Sequence, residues 1–204
     1  MTSRLLVDND VLIKLAHWSL LDQMPSCFGL EWSQVSALSS LQFRAARRDI
    51  KLFRTPEVAD ALSQRLARTE EISPGSSADL ARLQGIVSLD AGEVELFAAC
   101  LADPDAMIIS GDKRAMQALA TNCSPDVVTR LRGRVVCLEQ LMVMIARRTS
   151  CATVIQGVLT HRELDSTVRA IIGPQGCSDD QFHEGMKSYI ENLRALTSML
   201  LHPG

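Results

Sequence analysis

The stretch Leu5-Leu6-Val7-Asp8-Asn9-Asp10-Val11-Leu12 decides the fold of this chain of 204 residues. An aliphatic run ends in acids, and apolar residues then recur every three or four positions. A run followed by such a repeat predicts a strand and then a helix, which together open an α/β unit. Asp8 and Asp10 stand two residues apart at the predicted strand end, so their side chains start on the same side of the chain. Acids at the end of an aliphatic strand indicate a polar partner at this edge.

Two further acidic motifs stand where an apolar run gives way to a helical pattern. They are residues 89–95, with the sequence LDAGEVE, and residues 108–113, with the sequence IISGDK. If each follows a parallel strand, their acids meet those of the first motif at one edge of a sheet. Gathered carboxylates repel one another and lose solvation, so such a group usually holds divalent cations. The three motifs together predict a metal site.

The rest of the first 148 residues also alternates short apolar runs with helical patterns. Thr55-Pro56 is a good helix start, because Thr caps a helix and Pro is tolerated in its first turn. Alternating strands and helices predict parallel strands joined by right-handed crossovers, hence a three-layer α/β/α sandwich around a central parallel sheet. The predicted elements are strands at 4–7, 51–53, 85–89, 106–109 and 134–138, helices at 33–48, 93–102 and 113–120, a helix from residue 55, and a loop at 72–78.

The chain divides near residue 149. Residues 1–148 carry the α/β pattern, whereas residues 149–204 show helical patterns alone. Ser178 and Gln181 form a capping-box pattern ahead of a helix with Phe182 and Met186 on its apolar face. We expect this helical C-terminal extension to pack on the α/β domain or on a second subunit.

Composition narrows the classes of function. With a net charge of −3, bulk electrostatics do not favour coating of nucleic acid, so a polynucleotide would be held by a confined surface. Six scattered cysteines without C-x-x-C spacing, and no apolar signal region, indicate reduced thiols in the cytoplasm. The apolar stretch at 135–146 is too short to span a bilayer, so we expect no membrane role.

Each acidic motif also has a purely structural explanation. Asp10 and Asp112 can cap helices, and Glu93 and Glu95 stand at a helix N-terminus, where the helix dipole favours negative charge. The four histidines have no metal-ligand spacing, and the chain has no Gly-rich phosphate loop. The prediction of a site therefore depends on all three acidic motifs acting together.

On these motifs the chain resembles the PIN-domain family, metal-dependent nucleases that include many bacterial toxin components. Residues 6–13 resemble the family's first-strand motif, residues 89–96 its "GE" helix start, and residues 108–115 its closing acidic motif. The resemblance covers roughly residues 4–140. It implies Asp8, Glu93 and Asp112 as catalytic residues. It further implies the metal ligands Asp8, Glu93, Glu95 and Asp112, and the supporting or substrate-binding residues Asp10, Ser110 and Lys113.

The resemblance also implies a reaction and partners. One or two Mg²⁺ or Mn²⁺ ions would activate a water molecule and stabilise the leaving oxygen during phosphodiester cleavage. RNA, either single-stranded or structured, is the expected polymer. The resemblance is also compatible with an antitoxin or another protein partner, and with a homodimer.

One departure from the family pattern leaves a non-catalytic alternative open. Family members carry a metal-binding Glu in the helix that follows the Thr-Pro start, and that position here is Ala61. Asp60 lies about 100° away around the helix, and Glu57 lies one turn earlier on the same face. Either could replace the missing acid, or the fold could serve as a binding or assembly module with a degenerate site.

A second enzyme class matches the start of the chain alone. Asp8 and Asp10 fit the D-x-D signature of haloacid-dehalogenase-like phosphatases, in which the first Asp is the nucleophile and the second the general acid. That class expects a further acid shortly after the Gly111-Asp112 pair, and residues 113–116 contain none. A phosphatase is therefore the less favoured enzyme hypothesis.

Overall fold

A five-stranded sheet runs through the centre of the structure, a computed structural model that describes residues 2–204. The strands are β1 (Arg4–Val7), β2 (Val35–Ala37), β3 (Glu70–Glu71), β4 (Ala106–Ser110) and β5 (Val135–Cys137). Their spatial order is β3-β2-β1-β4-β5, and all neighbours are parallel. The chain therefore builds outward from β1 to β3 and then returns to the other side of β1. Parallel sheets bind ligands where the strand order reverses, and here that point lies between β1 and β4.

Helices connect the strands and cover both faces of the sheet. Those of the α/β body are α1 (Asn9–His17), α2 (Gln23–Ser26), α3 (Ser39–Ala46), α4 (Ile50–Phe53), α5 (Pro56–Leu66), α6 (Ser77–Gln84), α7 (Ala91–Ala102), α8 (Lys113–Asn122), α9 (Pro125–Arg130) and α10 (Leu138–Arg148). The extension adds α11 (Cys151–Thr160), α12 (Ser166–Ile172) and α13 (Asp179–Thr197), and 3₁₀ turns lie at Trp32–Gln34 and Arg162–Leu164. Across residues 2–204, no helix combines the length and apolar character needed to cross a bilayer.

The alternation of side chains along the strands creates two cores. In β1, Leu5 and Val7 pack with Met107 and Ile109 on one face, whereas Leu6 packs with its neighbours on the other. Successive side chains of a strand point to opposite faces, so both faces of an all-apolar strand need cover. Helices supply that cover on each side, and the predicted three-layer α/β/α sandwich is confirmed.

The extension packs against the α/β body. Val154 and Phe182 are buried in the core on the Leu5 side, and Leu193 and Leu200 are buried in the other core. A Cβ atom at Gly157 would lie 2.4 Å from the backbone oxygen of Trp18, so α11 approaches the end of α1 as closely as it does because this residue is glycine. Residues 149–204 therefore complete the hydrophobic cores that the body begins.

Two predicted elements around the strands β2 and β3 are wrong, and β3 itself was not predicted. The predicted helix at 33–48 is a strand, β2, followed by the shorter helix α3. Residues 51–53 lie in α4 because Asp49 caps that helix, accepting a hydrogen bond from the Lys51 N–H at 3.1 Å. The edge strand β3 has the sequence Glu-Glu, and a pattern of apolar residues cannot reveal it.

The strand predicted at 85–89 is also wrong. These residues form a turn between α6 and α7, in which Ser88 has a φ of 96° and Val87 is 87% exposed. A short apolar run predicts a buried strand only if both faces find cover, and this run buries Ile86 alone. The motif at residues 89–95 therefore follows a turn, yet Asp90 still starts the helix α7.

Candidate functional site

A cleft of about 480 Å³ opens at the carboxyl ends of β1 and β4, where the strand order reverses. Residues from four parts of the chain line it: the end of β1 with α1, the start of α7, the start of α8, and the start of α12 in the extension. They are Asp8, Asp10, Lys14, Asp90, Glu93, Gly111, Asp112, Lys113, Arg114, Asp165, Ser166 and Thr167. The acids of the three sequence motifs thus lie together, as the order of the motifs predicts.

Helix caps place three of these acids. Asp8 caps α1 and accepts from the Asp10 N–H at 3.3 Å, so the prediction that Asp10 caps this helix is wrong, and Asp90 caps α7. Asp112 caps α8 and accepts from the N–H groups of Arg114 and Ala115 at 2.8 and 3.0 Å. The positive end of each helix dipole favours a carboxylate there. Capping explains each acid locally, whereas the convergence of three capped helices on one cleft is a property of the fold.

Glu93 is the acid that capping explains least. One carboxylate oxygen closes the capping box by accepting from the Asp90 N–H at 2.8 Å, and the residue is only 9% exposed. Burial, with the charges of Asp112, Asp90 and Asp8, raises the pKa of Glu93 from 4.5 to about 7. The ionised form of Glu93 is therefore disfavoured in the cleft.

Asp8 shares this electrostatic environment. Burial raises the pKa of Asp8, and the charges of Asp10 and Asp90 add to that rise, against hydrogen bonds that lower it. One of those bonds comes from Ser110, whose hydroxyl donates to Asp8 Oδ2 at 3.4 Å and accepts from the Asp112 N–H at 3.1 Å. Ser110 therefore ties the acid after β1 to the acid after β4.

Four acids form what we call the unpaired group: Asp8, Asp90, Glu93 and Asp112. Within residues 2–204, none of them forms an ion pair with Lys, Arg or His. Buried or clustered charges are ordinarily matched by an opposite charge, because desolvation and repulsion otherwise destabilise the fold. The cleft thus gathers negative charge that the described side chains leave uncompensated.

A paired group adjoins it and consists of Asp10, Lys14 and Asp165. The Lys14 ammonium lies 2.6 Å from Asp10 Oδ2 and 2.9 Å from Asp165 Oδ2. Burial would lower the pKa of Lys14, but the two carboxylates raise it. Burial likewise opposes ionisation of Asp165, yet Lys14 holds the pKa of Asp165 below its usual value. This group carries its own cation, which compensates one of its two negative charges.

The extension contributes directly to the cleft. Asp165 caps α12, and the neighbouring Thr167 hydroxyl accepts a hydrogen bond from the Lys113 ammonium at 2.7 Å. Lys113 also lies 2.6 Å from Glu139 Oε1, which accepts no well-directed hydrogen bond among residues 2–204, so that contact is chiefly electrostatic. Lys113, predicted as a phosphate contact, is therefore bound within the protein. Arg114 is the exposed cation of the cleft and is free of ion pairs within the same residues.

The sequence patterns missed Asp165 because it stands outside the motifs, 151 residues from its partner Lys14. One local signal was available. Asp165-Ser166-Thr167 is a helix-cap sequence like those of Asp90 and Asp112, and Asp165 accepts from the Val168 N–H at 2.9 Å. That signal predicts the start of a helix but carries no information about the ammonium that the carboxylate meets.

Two other predicted positions lie outside the cleft. Glu95 is exposed and lines a different groove with Pro74 and Gly75. Asp60 binds the Arg48 guanidinium through both carboxylate oxygens at 2.7 and 2.9 Å, so it is engaged elsewhere.

No acid on α3 or α5 fills the position that Ala61 leaves vacant. Glu57 is exposed and absent from the residues that line the cleft. The helix that begins beside the cleft is α3, whose Ser40 hydroxyl accepts from the Asn9 side chain at 3.3 Å. Its sequence SSLQFRAA contains no acid. The carboxylates of the cleft therefore come from the end of β1 with α1, the starts of α7 and α8, and the extension.

The donor chemistry of the unpaired group fits a hard divalent cation. Mg²⁺ and Mn²⁺ take oxygen ligands, and carboxylates supply both the oxygen atoms and the negative charge. Within residues 2–204, however, no three His, Cys, Asp or Glu side chains already lie together as a ligand set. Binding of a cation would thus require rotation of these side chains toward one another.

A second cavity, of about 430 Å³, lies between α10 and α13 and is mostly apolar. Its charged residues are chiefly cations and histidines, among them Arg147, Lys187 and His183. Glu191 is its single acid. It lacks a group of carboxylates, so the cleft at β1 and β4 is the better candidate for cation-dependent chemistry.

No family model, no curated protein and no solved structure matches this chain. The chemistry of the cleft is therefore the basis on which a function can be assigned.

Proposed function

We propose that the protein is a PIN-like, Mg²⁺- or Mn²⁺-dependent nuclease that cleaves phosphodiester bonds of RNA. The observation that carries this proposal is the unpaired group at the point where the strand order reverses. Burial and the neighbouring charges of this group raise the pKa of Glu93 to about 7. Such an arrangement lowers the stability of the fold and is typical of sites where a cationic ligand supplies the missing positive charge.

Asp8, Glu93 and Asp112 are the residues that would hold the cation. When bound, a divalent cation would polarise the phosphate and lower the pKa of the attacking water. Ser110 keeps the side chain of Asp8 and the backbone of Asp112 in place through its two hydrogen bonds. Asp90 fixes one oxygen of Glu93 through its backbone N–H, which leaves the other oxygen free for a ligand.

Arg114 would position the substrate, and protonation of Glu93 would make the reaction depend on pH. Arg114 is exposed at the cleft and offers a planar guanidinium for a phosphate next to the scissile one. Glu93, with a pKa near 7, holds a proton in part of the molecules at neutral pH and must release it when a cation binds. Activity is therefore expected to rise with pH through this range.

The test is a cleavage assay on single-stranded and structured RNA with Mn²⁺. Asp8→Asn and Asp112→Asn are suitable variants, because Asn caps a helix about as well as Asp and the fold is preserved. Each should lose about 100-fold or more in rate, since removing groups that only support a ligand already costs about 10- to 100-fold. Glu95→Gln, outside the cleft, is the matched control and should cleave like the wild type. Cleavage that survives both Asn variants would defeat the proposed site.

A specific observation favours one alternative, a PIN-like binding or assembly module. Neither α3 nor α5 supplies an acid to the cleft, and Lys14 already binds both Asp10 and Asp165. Such a module would bind Mn²⁺ weakly or not at all. Calorimetry separates the two functions: tight Mn²⁺ binding that Asp8→Asn abolishes counts against the module, and its absence together with no cleavage counts against the nuclease. An antitoxin-like partner and a homodimer stay predictions under either function.

A further inference from the structure

A line of exposed side chains on α3 begins beside the cleft. Ser40, Phe43 and Arg47 are all exposed and are spaced by three and four residues, so they share one face of the helix. We call them the α3 stripe. Its first member contacts Asn9, the residue that follows Asp8. Phe43 lies about one helical turn beyond Ser40, and Arg47 about one turn beyond Phe43.

Phe43 and Arg47 form a flat, charged platform. The Phe43 side chain is 57% exposed, and the Arg47 guanidinium carbon lies 4.0 Å from its ring centroid. Across residues 2–204, Tyr189 is the other exposed aromatic side chain, and both tryptophans are buried. An exposed ring with a guanidinium over it is the chemistry on which an unpaired base stacks.

The charge around the stripe is the opposite of the charge of the whole chain. Residues 43–54 contain five cationic side chains and one acid, in a protein with a net charge of −3. Arg44, Arg48 and Arg54 are engaged with acids, whereas Arg47 and Lys51 are free of ion pairs within residues 2–204. Of these two, Arg47 stands at the exposed ring, where a phosphate backbone would need a free cation.

We propose that the α3 stripe is a docking track for single-stranded RNA leading to the cleft, with a base stacked on Phe43 and a phosphate held by Arg47. A duplex keeps its bases stacked on one another and offers none to the ring, so a single strand is the form that fits. This inference rests on the proposed nuclease for what happens in the cleft. Binding at the stripe itself requires no cleavage.

The experiment measures fluorescence anisotropy of a labelled oligouridylate of about 12 nucleotides, a length within the range that single-strand binding surfaces cover. EDTA is present, so that cation-dependent cleavage does not contribute. The full chain is compared with Phe43→Ala, Phe43→Tyr and Arg47→Ala. Val87→Ala controls for loss of an exposed apolar side chain, and Arg132→Ala, in the loop that leads into β5, controls for loss of an exposed charge.

Phe43→Ala should weaken binding about 10-fold, and Phe43→Tyr should restore it, because stacking is lost in the first and kept in the second. Arg47→Ala should weaken binding about 5-fold and reduce the salt dependence by about one phosphate contact. Both controls should match the wild type. An RNA duplex of equal length should bind more weakly than the single strand.

Three results would overturn the track: no binding of the single strand by the wild type, equal binding of the duplex, or unchanged binding by Phe43→Ala. Thermal melting verifies that each variant is folded. Failure of the nuclease itself gives a different result, since RNA then binds at the stripe but the wild type with Mn²⁺ leaves it intact. Cleavage with a KM that Phe43→Ala does not alter shows the reverse, a nuclease without this track.

Discussion

The cleft holds two groups of acids, and one of them carries its own cation. The paired group places Lys14 between Asp10 and Asp165, and both Lys14 and Asp165 have side chains only 9% exposed. The unpaired group holds acids with no such partner within residues 2–204, and the pKa of its Glu93 is raised to about 7. The same residue types at the same edge of one sheet therefore contribute to stability with opposite signs.

The paired group serves the architecture of the protein, whereas the unpaired group fits a function. A compensated buried pair holds elements together, and here it fixes α12 of the extension to α1 of the body. An uncompensated group lowers stability and is retained where a ligand supplies the missing charge. The following variants alter one group and leave the other as it is.

The largest expected effect comes from breaking the paired group with Lys14→Met, which keeps an unbranched apolar side chain only one atom shorter than that of lysine. Asp165 then stays buried without a counter-charge, and the free energy of unfolding should fall by about 3–5 kcal/mol. Urea denaturation measures the change. Arg48→Met, which removes an exposed partner of Asp60, is the control and should have little effect. A loss for Lys14→Met as small as that of the control would show that the pair does not stabilise the fold.

The second effect is a pH dependence of the unpaired group. Because the pKa of Glu93 rises from 4.5 in the unfolded chain to about 7 in the folded protein, the folded protein retains a proton that the unfolded chain releases between these values. In EDTA, this contribution to stability should fall as pH rises from about 5 to 7.5, by at most about 3 kcal/mol.

Glu93→Gln should remove this contribution, so the difference in free energy of unfolding between wild type and variant should change with pH. The paired group shows the opposite dependence of stability on pH. Because the pKa of Asp165 is lower in the folded protein, this carboxylate stabilises the fold at pH values above its pKa in the unfolded chain. That stabilisation is lost as the pH falls through the pKa of the folded protein. Parallel curves for wild type and Glu93→Gln between about pH 5 and 7.5 would contradict the assignment.

A third, smaller effect is a gain in stability. Asp8→Asn keeps the cap of α1 but removes one of the mutually repelling charges, so in EDTA the variant should be more stable by about 1 kcal/mol. With Mn²⁺ present the order should reverse, because only the wild type gains stability from binding the ion. Thermal melting under both conditions tests the prediction, and a variant less stable than the wild type in EDTA would speak against a strained acidic group.

The smallest effect concerns Glu95. Because this side chain is exposed outside the cleft, Glu95→Gln should change the free energy of unfolding by no more than about 0.5 kcal/mol and should leave Mn²⁺ binding as it is. Calorimetry with Mn²⁺ is the direct measurement. A large loss of affinity would place Glu95 among the ligands.

The sequence could predict those parts of the site that depend on interactions between neighbouring residues along the chain. Asp8 and Asp112 follow apolar strands and cap the next helix, so their neighbours along the chain are enough to place them at the sheet edge. Helix geometry also shows that Glu95 lies on a different face of α7 from Glu93, because residues two positions apart are rotated by about 200° around the helix axis. Glu93 and Glu95 could therefore not both face one cleft.

Predictions from the sequence failed where structure depended on distant partners. The turn at 85–89 has the composition of a strand but finds no neighbouring strand, and β3 has no apolar residue yet pairs with β2. Strand formation depends on hydrogen bonds and cover from elsewhere in the chain, which a short window of sequence does not contain.

The convergence of the acids on one cleft is a property of the fold, whereas the sequence by itself determined the strands β1 and β4 and the helix-capping residues Asp8, Asp90 and Asp112. Those features depend on residues within a few positions of one another. The tertiary structure alone decided which acids are neutralised, because Lys14 meets Asp165 across 151 residues of chain. Charge compensation acts through space, so only the folded molecule distinguishes the acids that hold the extension in place from those left for a cation.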